Sequence, residues 1–260
     1  MSRIDYSWRV FATGASFSVF GLGALVITLT AFPAIHLLSF DRRRAHRGCQ
    51  YVVHLSFRAF IRMMKTLGVL TYEFRDIENL SHESGHLIIA NHPTLLDVVF
   101  IISLLPVTQC VVKKSAWSNP FLAGVMWATG YIQNDDPMVL IEDCVRSLEE
   151  GSNLVIFPEA TRSVPGQKMR LKRGAASVIA ASRTLFTPLI MTCEPSTLTK
   201  GKKWFEIPSQ KAHFRISVGK PVDPATLLTD GERLSKSNRR INSAIEELFV
   251  TGIEKHGRSG

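Results

Sequence analysis

Two short stretches carry side chains able to do chemistry. The first is Asn91-His92-Pro93-Thr94-Leu95-Leu96-Asp97. A histidine and a carboxylate are the parts of a general base: a proton acceptor, and an anion that fixes its tautomer and raises its basicity. On one continuous helix, five residues at about 100° each would put the two on different faces. The pairing therefore requires His92 to lie outside the helix and fold back. Pro93 suits the first helical position, where its missing N–H has no partner to lose. His92 is then expected in the N-cap place at a strand-to-helix corner, with Asp97 a little over one turn into a helix spanning Pro93 to Leu105. The competing reading is a buried histidine that only caps that helix.

The second stretch is Asn153-Leu154-Val155-Ile156-Phe157-Pro158-Glu159-Ala160-Thr161-Arg162-Ser163. An apolar strand ends at Pro158 and spills polar groups into a loop. In an α/β sheet, ligands bind beyond the carboxyl ends of the strands. Arg162 offers a planar fork for a phosphate or carboxylate. Glu159 could hold that arginine or accept from a substrate hydroxyl. The plainer alternative is a turn whose Glu159 and Arg162 pair only with each other.

The elements that must position these residues are legible in the pattern around them. From Thr71 onward, β-like runs (Thr71–Phe74, Leu87–Ala90, Cys110–Lys113, Leu154–Phe157, Leu189–Cys193, Phe214–Val218) alternate with helical ones. The helical runs are Pro93–Leu105, Asn119–Thr129, Pro137–Glu150, Lys172–Ala181 and a closing one near Ser235–Lys255. That alternation predicts an α/β fold, a central mixed sheet flanked by helices, with room for some antiparallel pairing.

Before it, Val10 to Phe40 has no Asp, Glu, Lys or Arg in 31 positions. A bilayer core needs about 20 apolar residues in a helix, so the run is long enough to cross. It is too long for a cleaved signal peptide. Arg42, Arg43, Arg44 and Arg47 come directly after it, which by the positive-inside rule turns the rest of the chain to the cytoplasm. A single span and a hairpin of two half-buried helices both fit. Cys49 to Leu67 then reads as an amphipathic helix, with His54, Arg58, Arg62 and Lys65 as a basic stripe beside Val53, Phe57, Phe60, Ile61, Met64 and Leu67. Such a helix suits an anionic lipid surface, or is an ordinary domain helix with a solvated basic face. Three segments result: 1–47, a membrane segment with its basic flank; 48–70, the interfacial helix; and 71–260, a catalytic domain.

Composition narrows the partners. Among 260 residues, 31 Lys and Arg against 22 Asp and Glu leave a net charge of +9, which points to anionic partners. No nucleic-acid motif accompanies that charge, so lipid surfaces and phosphorylated substrates rank above nucleic acid. Cys49, Cys110, Cys144 and Cys193 are far apart with no Cys-x-x-Cys, which argues against a disulfide framework or a zinc site. No metal or other cofactor is expected.

Together the two stretches resemble the PlsC-like glycerolipid acyltransferase family, which includes the bacterial lysophosphatidic acid acyltransferases. An Asn-His-Pro-(x)3-Asp block is followed some sixty residues later by Phe-Pro-Glu-Ala-Thr-Arg-Ser, and the likeness runs from about Thr71 to Pro195. It takes in Val112-Lys113-Lys114 and Lys172-Arg173-Gly174-Ala175-Ala176, and the apolar N-terminal segment is similar to the family's membrane anchor.

The resemblance implies a glycerol-3-phosphate acyltransferase-like fold. It implies transfer of a fatty acyl group from a thioester, on coenzyme A or acyl carrier protein, to a lipid hydroxyl at the inner, cytoplasmic membrane. His92 would take the hydroxyl proton and Asp97 would orient the ring, with no covalent acyl-enzyme. Glu159, Thr161, Arg162 and Ser163 would form the acceptor-binding loop, with Lys113 or Lys114 adding positive field. Lys168, Arg170, Lys172 and Arg173 would meet the carrier's phosphates or the lipid surface, or form a solvated basic loop.

Two departures stand out. Ala160 replaces the family's usual glycine, which can serve a backbone angle that alanine resists. Gly130-Tyr131-Ile132-Gln133-Asn134-Asp135-Asp136 lies where the family has Gly-x-Ile-Phe-Ile-x-Arg, so two carboxylates stand near the place of a phosphate-holding arginine. That leaves open an acceptor without a phosphate headgroup, such as a glycolipid or an amino-acid-headed lipid. It also leaves open a lipid-binding or scaffolding relative without turnover. A hydrolase using the same base on water is a more distant reading.

Overall fold

The apolar N-terminal run forms two helices, α1 (Arg3–Leu29) and α2 (Ala31–Leu38), in the computed structural model, which describes residues 3–80, 85–119, 122–164, 167–229 and 231–257. The break has a local cause. Pro33 has no N–H to give to the carbonyl of Leu29, and its ring crowds that turn. Thr30 donates its hydroxyl back to the Val26 carbonyl (2.7 Å), a contact that bends helices. The pair is long and apolar enough to cross a membrane, and little of it is buried. Ile4, Phe11, Val19, Leu22, Val26 and Leu29 of α1, and Leu37 and Leu38 of α2, are exposed.

One helix, α3 (Arg42–Thr66), comes next, capped by the Asp41 carboxylate on the Arg44 N–H. It runs unbroken across the 47/48 boundary expected from the sequence. Its apolar side is turned into the fold: Phe60 meets Phe17 and Phe20 of α1, and Val53, Ile61 and Met64 are buried. The basic stripe is shorter than expected, because His54 is buried and bonds through Nδ1 to the carbonyl of Ile102 (2.7 Å). Arg58, Arg62 and Lys65 stay in solvent.

The remaining elements alternate as anticipated. β1 (Leu70–Arg75) and β2 (Leu87–Ala90) lead to α4 (Asp97–Leu104), then β3 (Thr108–Lys113), α5 (Lys114–Trp117), α6 (Ala123–Thr129) and β4 (Ile132–Asn134). α7 (Pro137–Glu149), β5 (Asn153–Ile156), α8 (Arg173–Ser182), β6 (Phe186–Glu194), β7 (Ala212–Val218) and α9 (Leu234–Gly257) complete the chain. The strands form one seven-stranded sheet in the order β1-β7-β6-β2-β5-β3-β4. Among the described strands, β6 and β7 are the one antiparallel pair, so the sheet is mixed.

β2 lies at the centre and its four residues are fully buried, as expected of a strand covered on both faces. Successive side chains point to opposite faces. Leu87 and Ile89 enter a core with α7, α8 and α9, whereas Ile88 and Ala90 enter a second core with α3, α4 and α6. Parallel β2, β5 and β3 therefore end along one edge of the sheet, and the loops leaving that edge carry both chemistry-bearing stretches.

Candidate functional site

The loop after β2 is mounted on its neighbour strand by a side chain. Asn91 donates through Nδ2 to the carbonyl of Met191 (2.8 Å) and accepts from the Met191 N–H (2.7 Å), so it extends the β2–β6 ladder as the backbone leaves it. The next residues do not form the helix expected from Pro93. α4 begins at Asp97, and residues 92–96 are a loop closed by that carboxylate. Asp97 Oδ2 accepts from the Thr94 N–H (2.7 Å) and Oδ1 accepts from the Thr94 hydroxyl (2.5 Å). A side-chain anion that captures a backbone N–H offers the chain an alternative to a helical turn.

That loop solves the pairing problem posed by the five-residue spacing. His92 Nδ1 lies 2.8 Å from Asp97 Oδ2. A carboxylate only accepts, so Nδ1 carries the proton and Nε2 keeps its lone pair. The Asp97 side chain is 0% exposed and that of His92 20% exposed, so the anion is sealed and the ring edge is open. Burial pushes the Asp97 carboxyl above the usual carboxylate range, opposed by its bonds to His92 and Thr94. Its place in the first turn of α4 also sets the charge against the positive end of the helix.

The loop after β5 buttresses the same ring. Phe157 stacks on His92 with centroids 4.3 Å apart. Glu159 is buried, accepting from the His92 N–H (2.9 Å) and the Ser163 hydroxyl (2.8 Å), and the Ser163 N–H donates to the His92 carbonyl (2.7 Å). Glu159 and Ser163 thus hold the backbone of the histidine. The Glu159–Arg162 pair weighed from the sequence is not among the contacts of the described residues. Arg162 donates instead to the carbonyls of Leu198 (3.0 Å) and Thr199 (3.2 Å). Leu198 O also takes the N–H of Leu95 (3.1 Å), so the chain after β6 clamps both loops. Thr161 sits half-buried on the same turn. Ala160 has φ +55°, the left-handed region that favours glycine.

The lysines stand farther along the edge. Lys113 ends β3, two strands from β2, and is exposed; Lys114 opens α5 and binds Asp135 (2.7 Å). The two carboxylates of the divergent segment are thus both engaged. Asp135 is neutralised by Lys114, and Asp136 caps α7 by accepting from the N–H groups of Met138 and Val139. In the basic loop, Lys168 pairs with Glu246 (3.3 Å), and Arg170, Lys172 and Arg173 are exposed. Among the described residues, no cluster of three His, Cys, Asp or Glu could hold a metal. All four cysteines are buried and free; burial pushes the Cys110, Cys144 and Cys193 thiols up to about 12, so none is a ready nucleophile.

The structure brings His92 and Asp97 together with the 159–163 turn, and adds Asn91, Thr94 and the Leu198–Thr199 clamp, which the sequence did not single out. The polar residues next to His92 were a signal for the first two. The clamp comes from a segment with no motif of its own.

A model of the family described as Acyltransferase matches residues 71–192. That match covers a little under half of the chain. Similar proteins include the 1-acyl-sn-glycerol-3-phosphate acyltransferase of Helicobacter pylori, 30% identical over 112 residues, which cover 40% of this chain and 47% of that protein. A chloroplastic 1-acyl-sn-glycerol-3-phosphate acyltransferase of Brassica napus is 23% identical over 80% of this chain and 60% of its own length. The chain thus spans about half the length of the curated relatives it matches. In fold, the crystal structure of the 1-acyl-sn-glycerophosphate acyltransferase of Thermotoga maritima superposes with a TM-score of 0.74, covering 100% of this chain and 99% of that one at 16% identity. The stretch that matches the acyltransferase family contains His92, Asp97 and the 159–163 turn, whereas the clamp at Leu198 and Thr199 lies beyond it.

Proposed function

We propose that the protein is a membrane-bound O-acyltransferase that moves a fatty acyl group from a thioester to a lysophospholipid hydroxyl. The donor is coenzyme A or acyl carrier protein. The observation that carries the reading is the His92–Asp97 pair, with Nδ1 protonated against a sealed carboxylate and Nε2 free to act as a base. The acceptor hydroxyl gives its proton to Nε2 as its oxygen attacks the thioester carbonyl. Asp97 stabilises the imidazolium that forms. Collapse of the tetrahedral intermediate breaks the C–S bond, and the imidazolium returns the proton to the leaving sulfur. Atoms balance with no covalent enzyme intermediate. The raised cysteine thiols agree with that.

Arg162 is anchored through Nη1, which leaves the rest of its fork to meet an anionic headgroup beside the base. Lysophosphatidic acid is the acceptor favoured by the names of the relatives. The pairing of Asp135 with Lys114 and the capping role of Asp136 weaken the electrostatic objection to a phosphate raised by the sequence. The α1–α2 segment supports a membrane anchor, and the arginines after it support a cytoplasmic catalytic face.

The test is His92→Ala in the full chain, assayed with acyl-coenzyme A and acyl-carrier donors against a panel of lysolipids with and without phosphate headgroups. Product formation should fall by about 10²–10⁴-fold, the usual weight of a general base, with folding and vesicle binding unchanged. A variant that keeps the full rate removes His92 from the chemistry. A wild-type protein that binds lysolipids but never releases thiol would be a scaffolding relative.

A further inference from the structure

The segment between β6 and β7, residues 195–211, has features that the acyl transfer step does not use. Its tip reads Lys200-Gly201-Lys202-Lys203-Trp204-Phe205-Glu206. Trp204 and Phe205 are 47% and 43% exposed and pack edge to face at 5.5 Å, with the Lys203 ammonium 5.5 Å from the Phe205 ring centre. Lys200, Lys202 and Lys203 are exposed against a single acid, Glu206, which pairs with Lys202 (3.5 Å). Large aromatics and lysines sharing an exposed tip are costly in water alone. They suit the headgroup zone of an anionic bilayer, where rings sit between water and hydrocarbon and lysines meet lipid phosphate.

The tip also sits beside the apolar helix. The Trp204 ring lies against α1 at Gly14, where a Cβ would come within 2.9 Å of it. One turn away on α1, Phe11 is exposed and contacts Trp8 (5.9 Å). The aromatic surface of α1 therefore continues into the tip. Arg9 of α1 fastens the base of the segment, donating to the carbonyls of Pro208 (3.1 Å), Ser209 (2.5 Å) and Gln210 (3.3 Å). The other end of the segment is the clamp on the catalytic loops, Leu198 O and Thr199 O.

We propose that residues 200–206 are a second lipid-docking element, selective for an anionic bilayer surface, and that their contact with lipid steadies the clamp that holds Arg162 and the His92 loop. The proposal rests on the reading of α1–α2 as a membrane anchor and adds a lipid-sensing contact to it. Docking at the tip and order at Leu198 lie on the same short stretch of chain, so bilayer charge is read at the active site.

The experiment uses the full chain reconstituted in vesicles of phosphatidylcholine, with or without phosphatidylglycerol. Fluorescence quenching by brominated lipids is compared between wild type and Trp204→Phe, and turnover is measured with a short-chain soluble acceptor. Quenching should be weaker in Trp204→Phe, leaving the contribution of the other exposed tryptophans, Trp8 on α1 and Trp127 on α6. Phosphatidylglycerol should raise the wild-type rate. Lys202→Gln/Lys203→Gln should lose that rise while matching wild type in phosphatidylcholine alone. Equal quenching in wild type and Trp204→Phe, with the remaining tryptophans still quenched, would overturn the loop contact and leave the anchor standing. A rise in rate that survives the lysine changes would overturn the charge sensing. A chain that does not associate with vesicles would overturn both the anchor and the loop.

Discussion

At the scale of single residues, the proposed base depends on which nitrogen of His92 holds the proton. Asp97 enforces Nδ1–H because a carboxylate cannot donate. Asp97→Asn keeps the shape but presents an amide. Its N–H₂ facing Nδ1 would donate, move the proton to Nε2 and leave no lone pair for the substrate. The rate should fall by about 10³–10⁴-fold, the order seen when a buried aspartate partner is made an amide in a histidine-based triad. Far-ultraviolet circular dichroism should be unchanged, and a loss below tenfold would show that the carboxylate does not set the tautomer. Ala160 offers a test of opposite sign. Its φ of +55° makes the methyl a liability, since the left-handed region costs an L residue about 1–2 kcal/mol. Part of that gain is offset by the greater freedom of unfolded glycine. Ala160→Gly should raise stability by about 0.5–1 kcal/mol in denaturant titration and leave turnover intact. A fall in stability would mean that the methyl packs usefully.

At the scale of elements, much is legible in the sequence. The strand runs named from it are all strands, because an apolar core run bounded by turn residues leaves little else. β4 is hidden there because Ile132–Asn134 offers one buried apolar residue and no alternation. The start of α4 differs from the expected Pro93 for a reason specific to Asp97: helix signals count backbone donors, and here a side chain captures one. The stripe on α3 stops short of His54 because spacing on a helix cannot say which face meets a neighbour 48 residues away. Edge strand β1 gives a prediction at this scale. Glu73 lies opposite Arg215 of β7 and bonds to its side chain, which holds the Glu73 carboxyl below the usual range. A depressed carboxyl stabilises the fold above its unfolded pKa of about 4.3, and that stabilisation is lost as pH falls through the folded value. The pair is partly solvated, so its worth is at most about 1 kcal/mol. Glu73→Gln should therefore be less stable than wild type at neutral pH, with the gap closing below about pH 4. A gap that ignores pH would place the contribution in packing rather than charge.

At the scale of the whole molecule, the N-terminal helix is wired to the site it precedes by some ninety positions. The sequence divides the chain into a membrane segment, an interfacial helix and a catalytic domain. Arg9 lies just before the uncharged run of that membrane segment and is buried. It is bound to Asp5 (3.1 Å) and to three carbonyls of the segment that clamps Arg162 and Leu95. The planar guanidinium meets several acceptors at once, which a lysine cannot. Arg9→Met would leave those carbonyls short of a charged donor, each such bond being worth about 1.5–3 kcal/mol. Part of this would be recovered because a buried charge no longer has to be desolvated. We expect a net loss of about 2–4 kcal/mol in thermal or chemical unfolding, with Arg9→Lys recovering little of it. Turnover should fall in step, because a loosened segment 195–211 no longer holds Arg162 beside His92. Both losses together are the signature of one connected assembly. If Arg9→Met unfolds earlier yet turns over at the wild-type rate, α1 is a tether and nothing more.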